Sequence, residues 1–114
     1  MPIEEIVALA LLWFASFSPV HDTPVEHSRV SEADVFTAAF DVSGSVEWAE
    51  QAVAVTFCES GWSTTAVGRA NEWGLAQIHP VHALPRVRGV HAQLRQAYMI
   101  WSRTENWTAW SCRP

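Results

Sequence analysis

The sequence predicts a small, mostly helical domain over residues 46 to 114. Two apolar stripes at helical spacing predict it, together with an abrupt concentration of tryptophan. Six of the seven tryptophans lie there: Trp48, Trp62, Trp73, Trp101, Trp107 and Trp110. The chain has 114 residues, which allows one domain. It is 49% apolar, enough for a core. Domains of this size bury a low fraction of their surface and often carry a staple.

At the N-terminus, residues 6 to 17 (IVALALLWFASF) form an apolar run. A membrane span needs about 20 residues. This run has instead the length of a signal-peptide core, with Ala15, Ser16 and Ser18 as small exit residues before Pro19. It departs from an export signal upstream, where Glu4 and Glu5 stand without any Lys or Arg. Residues 1 to 18 are expected to be a signal peptide or short membrane anchor; a buried or amphipathic helix is the competing reading. Residues 19 to 45 hold Pro19, Pro24, His21, His27 and scattered acids. Low hydrophobicity with like charge favours a partly disordered linker. Within it, residues 35 to 40 (VFTAAF) have room for one helical turn packed on the domain.

The domain opens at Ser43-Gly44-Ser45, which reads as a break followed by a helix N-cap. Residues 46 to 58 then read as a helix, with Trp48, Ala52 and Val55 on one stripe and Gly61 as the stop. A buried strand over Ala52 to Val55 is the alternative; length and the Gly stop favour helix. Gly74, between large apolar residues, marks a close backbone approach. Pro80 ends what precedes it, and residues 83 to 89 read as a loop. Residues 90 to 103 form the second helix, with Leu94, Ala97, Tyr98 and Trp101 on a shared face. Trp107 and Trp110 belong to a final turn that delivers Cys112.

Charge divides unevenly. Residues 1 to 45 carry a net of −6 and residues 46 to 114 a net of +1. A slightly basic domain suits an anionic polymer, but the field is far too weak to argue for nucleic acid. The two cysteines, Cys58 and Cys112, are ambiguous by count alone. If joined, they would close a loop worth roughly 4 kcal/mol on the chain-entropy model. His79, His82 and His91 do not complete a metal set: Pro80 interrupts the helical spacing and no Cys or acid joins them. Ser60 lacks a nucleophile elbow, and there is no phosphate-binding Gly-rich loop. No metal or cofactor is therefore expected.

Glu59 continues the Trp48–Ala52–Val55 stripe. A carboxyl group at the inner end of an apolar stripe is partly desolvated, which disfavours its charged form. In its protonated form it can donate to a glycosidic oxygen. Position alone leaves this even with a Glu that simply points to water.

Around it the residues match a pattern. Cys58-Glu59-Ser60-Gly61-Trp62, then Ala66-Val67-Gly68, then Gly74-Leu75-Ala76-Gln77-Ile78 resemble soluble lytic transglycosylases of the goose-lysozyme-like family. The tail Asn106-Trp107-Thr108-Ala109-Trp110-Ser111-Cys112 is similar to that of the small phage and actinobacterial members, resuscitation-promoting factors above all. The resemblance covers residues 46 to 114. It implies a minimal lysozyme-like α+β domain, mostly helical, that cuts the β-1,4 bond between N-acetylmuramic acid and N-acetylglucosamine in peptidoglycan.

On that resemblance Glu59 is general acid and then base, and Cys58 pairs with Cys112. Ser60, Trp62, Trp73, Gln77 and Tyr98 face substrate, and the protein is a secreted or wall-associated monomer. Two positions depart from the family. Gly68 stands where it often carries Ser, and Ile100 where it carries Tyr, with Tyr98 two residues early. A hydrolytic outcome would call for a second acid, for which Glu72 is the candidate. An inactive wall-binding module and a structural or virion protein are the remaining function classes.

Overall fold

The computed structural model describes residues 28–114. The export or anchor expectation for residues 1 to 18 and the first part of the expected linker lie outside the described residues. Three helices dominate the rest: α1 (Glu32–Ser43), α2 (Val46–Ser60) and α3 (Val90–Thr104), with a short 3₁₀ turn at Pro80–His82. Extended pairing among the described residues is limited to three isolated antiparallel bridges, Arg29 with Ser63, Val67 with Trp73, and Trp73 with Ile78. No helix among the described residues is long and apolar enough to cross a membrane.

The linker expected over residues 19 to 45 is corrected in its described half. Residues 32–43 form α1, a full helix with caps at both ends. Ser31 accepts from the Asp34 N–H, and the Asp34 carboxylate accepts from the Ser31 N–H. This reciprocal box satisfies two N–H groups that a helix start leaves unpaired. Val35, Ala38 and Ala39 are fully buried. Val42 packs against the same core. The spacing i, i+3, i+4, i+7 puts all four on one face. Scattered acids made the segment look solvated, yet Glu32, Asp34 and Asp41 all sit on its exposed side.

α1 packs against both α2 and α3, whereas α2 and α3 make no close backbone approach to each other. α1 is therefore the central layer, and the folded unit begins before residue 46. Its small side chains allow two helices to close on it. A bulkier residue there would have to push one of them away.

The break at Ser43-Gly44-Ser45 is as the sequence predicts. Gly44 takes the left-handed conformation that ends α1, and the Ser45 side chain caps α2 by accepting from the Trp48 N–H. α2 runs two residues past the expected end, so Glu59 and Ser60 belong to its last turn before Gly61 closes it with φ 65°. Trp48, Ala49, Ala52 and Val55 are buried, which settles helix over strand. On α3 the buried face is Gln93, Leu94, Gln96, Ala97 and Ile100, with Tyr98 and Trp101 half-buried on its flank.

Cys58 and Cys112 form a disulfide with Cα atoms 6.1 Å apart. It ties the end of α2 to the end of the chain across 54 residues. Constraining the unfolded chain over that distance is worth roughly 4 kcal/mol.

Two stability outcomes follow. A chain beginning at Val46 should show no cooperative thermal transition by circular dichroism, because α1 is its missing centre. In the full-length chain, Ala39→Leu should cost about 1–3 kcal/mol in urea titration. A truncated chain that melted as sharply as the parent would remove α1 from the core.

Candidate active site around Glu59

Glu59 lies where three segments meet: the last turn of α2, residues 74–78 and the C-terminal tail. Its carboxyl group is half-buried, and Oε2 accepts a hydrogen bond from the Cys112 N–H at 3.0 Å. Oε1 makes no hydrogen bond among the described residues and is not enclosed. The side chain is thus fixed through one oxygen, while the other keeps some exposure and has no hydrogen-bond partner among the described residues. The disulfide holds the residue before Glu59 to the very residue that donates to it.

Ser60 works inward. Its hydroxyl donates to the Leu75 carbonyl at 2.8 Å and accepts from the Ser63 N–H at 3.2 Å. It therefore fastens the 74–78 segment to α2 beside Glu59. Trp110 adds a second attachment by donating its indole N–H to the Ala76 carbonyl at 2.8 Å.

The 74–78 segment is built around buried amides. Gln93 on α3 accepts from the Leu75 N–H at 2.7 Å and donates to the carbonyls of Thr64 and Val87. It approaches so closely that a Cβ on Gly74 would lie 2.6 Å from its Oε1. That is the backbone approach Gly74 was expected to mark. Gln77, with φ 50°, donates its amide to the carbonyls of Ala66 and Gly74. Both its N–H groups are thereby committed, and its Oε1 is left as the polar atom toward Gly68.

A Cβ on Gly68 would lie 2.4 Å from Gln77 Oε1 and 2.2 Å from Glu72 Oε1. The absence of a side chain at residue 68 is what lets the Glu72 carboxyl come up beside Gln77. Glu72 Oε1 also accepts from the Ala70 N–H at 3.0 Å.

The expected aromatic contacts divide. Trp73 lines a cleft of about 130 Å³ with Ile78, Leu84 and Arg86. The Arg86 guanidinium sits 4.7 Å over its ring, and its indole N–H is tied to the Val87 carbonyl. Trp62 packs its ring on Phe57, with centroids 4.8 Å apart, and donates to the Val53 carbonyl. It lies along the outer flank of α2. Tyr98 is not at this end of the molecule. Its ring meets Trp48 edge-on at 5.1 Å and stacks on Trp101 at 5.8 Å. Trp48 is eleven residues before Glu59, about 16 Å along the helix.

Gln93 and Gln96 were missed in the sequence. Their signal is positional, since Gln93, Gln96, Ala97 and Ile100 form one i, i+3, i+4, i+7 set. Two glutamines on an apolar stripe mark buried amides with main-chain partners. Among the described residues, no three His, Cys, Asp or Glu side chains gather into a metal-holding group.

No protein-family model matches the chain, and neither curated proteins nor solved structures give a match to it.

Gln93→Leu should destabilise the chain more than Gln96→Leu, which loses only the bond to the Pro85 carbonyl. An unmet buried polar group costs about 1–3 kcal/mol. Equal urea midpoints for the two variants would contradict the role given to Gln93. His82 offers a separate readout. Its pKa is lowered by burial first, then by the charge of Arg103 and by His79. A base with a depressed folded pKa contributes stability that is whole above the unfolded value of 6.5 and is lost as pH falls below it. His82→Asn should therefore lose less stability than the parent between pH 7 and pH 5 in urea titrations.

Proposed function

We propose that this protein is a peptidoglycan-cleaving enzyme, a lytic transglycosylase with Glu59 as its single acid–base group. The observation that carries the reading is the fixing of Glu59 by the Cys112 N–H at the end of α2, with Oε1 left unpaired among the described residues and not fully buried. A general acid needs one orientation and one accessible oxygen. The residues around it also carry the resemblance to the goose-lysozyme-like family. The fold on this reading is a minimal lysozyme-like α+β domain whose β part is reduced to the bridges of residues 63 to 78. The disulfide suits an oxidising compartment, as a secreted or wall-associated protein would meet.

The chemistry needs no metal and no second acid. Protonated Glu59 gives its proton to the oxygen of the β-1,4 bond between N-acetylmuramic acid and N-acetylglucosamine, and the leaving sugar departs with it. The muramyl 6-hydroxyl attacks the anomeric carbon and closes an anhydro ring. Its proton passes to the Glu59 carboxylate, which restores the starting state without consuming water. Gln77 contributes through Oε1, an acceptor for a sugar N–H or O–H, since its amide N–H groups hold the loop. Trp73 offers a ring face in the neighbouring cleft. Tyr98 has no part in this site and is reassigned to the aromatic cluster.

One observation favours a second reading. The Glu72 carboxyl beside Gln77 Oε1 is a further acid on the same loop system, and hydrolysis uses a second carboxylate to activate water.

Digestion of purified peptidoglycan by the oxidised full-length chain, with mass spectrometry of the released muropeptides, separates these. Transglycosylation gives products lighter by one water than ordinary reducing ends. Glu59→Gln should lower their release by about 10²–10⁴-fold, with Glu72→Gln close to the parent. Ordinary reducing ends that vanish in Glu72→Gln would establish hydrolysis. No release by the parent, with retention on insoluble wall, would make the chain a binding module instead.

A further inference from the structure

The cleft of about 130 Å³ beside Trp73 is joined to the Glu59 site through the backbone. Trp73 and Ile78 both line it, and they exchange two main-chain hydrogen bonds of 3.0 Å that close the 74–78 segment between them. Ser60 and Trp110 fasten that same segment beside Glu59. The cleft is well below the usual volume of a whole small-ligand site, about 300–1,000 Å³. It admits a substituent of a larger molecule rather than the molecule itself.

Its lining says what kind of substituent. Trp73, Ile78 and Leu84 give it an apolar wall. Arg86 gives it a cation, whose Nη2 donates to Asn71 Oδ1 at 2.9 Å. Among the described residues, Arg86 Nη1 and Nε have no partner, and no carboxylate pairs with the guanidinium. Residues 69 to 88 carry Arg69, Arg86 and Arg88 against Glu72, three minus one, a net of +2. Glu72 Oε1 is meanwhile engaged by the Ala70 N–H. An unpaired guanidinium in a basic stretch suits a carboxylate, which it can hold with two parallel N–H bonds.

Gln96 adds an acceptor. It also lines the cleft and is only 8% exposed. Its Nε2 donates to the Pro85 carbonyl at 3.0 Å, which settles the orientation of the amide and leaves Oε1 as acceptor. Oε1 has no partner among the described residues and is not fully enclosed. Buried polar atoms ordinarily find a partner, so this oxygen calls for a donor from outside the chain.

A small aliphatic carboxylate with an N–H beside it meets all three demands. Wall glycan offers a methyl-bearing carbon with a free carboxylate at two places. One is the alanyl end of a peptide branch. The other is the lactyl group of N-acetylmuramic acid once its peptide has been removed. The alanyl end brings an N–H, whereas the lactyl group brings an ether oxygen that cannot donate to Gln96. We propose that the cleft is a subsite for the free alanyl end of a peptide branch. Its carboxylate pairs with Arg86, its methyl meets the Trp73 wall and its N–H donates to Gln96 Oε1. The naming of the branch rests on the wall-polymer reading above; the preference for an acylated alanine carboxylate does not depend on cleavage.

The test is titration of the full-length oxidised chain with three probes, read on the Trp73 indole N–H resonance, which Trp73→Phe assigns. N-acetyl-D-alanine should move it along a saturating curve. N-acetyl-D-alaninamide, which lacks the carboxylate, should bind about tenfold more weakly. (R)-2-methoxypropanoate, which keeps carboxylate and methyl but lacks the N–H, should bind about fivefold more weakly. Arg86→Gln should bring the acid down to the level of its amide. A still resonance, or equal binding of acid and amide, overturns the subsite. A methoxypropanoate that matched the acetylalanine would overturn the alanyl end and give the cleft to the lactyl group. The three probes are compared on the unmutated chain, so a misfolded variant cannot decide the outcome. The expected order of probes without Glu59-dependent wall cleavage would leave the subsite standing and the enzyme reading fallen. Cleavage by a chain that ignored all three would do the reverse.

Discussion

The attachment of the C-terminal tail to α2 is the constraint on which the site depends. Residues 107 to 112 have no regular structure of their own, yet they supply the one hydrogen-bond donor to the Glu59 carboxyl among the described residues. Three interactions hold them. Trp107 stacks on Trp48 and bonds to Gln51, Trp110 bonds to Ala76, and Cys112 is joined to Cys58. The covalent link alone would leave the tail free to pivot about the sulfurs. The two indoles remove that freedom, Trp107 by its hold on the first half of α2 and Trp110 by its hold on the 74–78 segment. On the proposed reading, entropy already spent on ordering the tail would not have to be spent again at the chemical step.

α1 plays the corresponding part for the helices. α2 and α3 are joined by aromatic side chains at one end and by loop amides at the other, and between them the backbone contacts run through α1. Alanine is the residue that makes this possible, because Ala38 and Ala39 carry no bulk and lose no rotamer freedom on burial. A domain this small has little apolar surface to spend, so a short helix buried against two partners is an economical centre.

The sequence disclosed what depends on local spacing. The stripe of α2, its Gly61 stop, the Ser45 cap and the extent of α3 to within a residue were legible, because helical period and capping chemistry are local. Of residues 32 to 43 only one packed helical turn over residues 35 to 40 was legible, not the full capped helix. Their acids lie on the solvent side, and the apolar set Val35, Ala38, Ala39 and Val42 is short and small enough to pass for linker composition. Tyr98 misled for a different reason. Its place at the site came from the resemblance, in which the Tyr stands two residues later, whereas helical spacing put it on a face with Trp101, on whose ring it stacks. For Gln93 the stripe could have marked a buried amide, but not its partners, since Thr64, Leu75 and Val87 meet it through main-chain groups that no pattern of side chains announces.

Gly68 shows how one absent side chain can redistribute a site. A serine there would place its Cβ on top of both the Glu72 carboxyl and the Gln77 amide oxygen. With glycine, the two acceptors approach a common point, and the hydroxyl that a serine would contribute is replaced by a carboxylate arriving from four residues later. A hydroxyl can donate or accept, whereas an ionised carboxylate only accepts. The substitution therefore changes the polarity this wall of the site offers, from an adaptable group to a pair of acceptors. It selects for a donor at that place. On the proposed reading, the same pair of residues would bear on both substrate orientation and the choice between ring closure and attack by water, and that choice would rest less on Glu59, which both reactions use, than on what occupies the space Gly68 leaves.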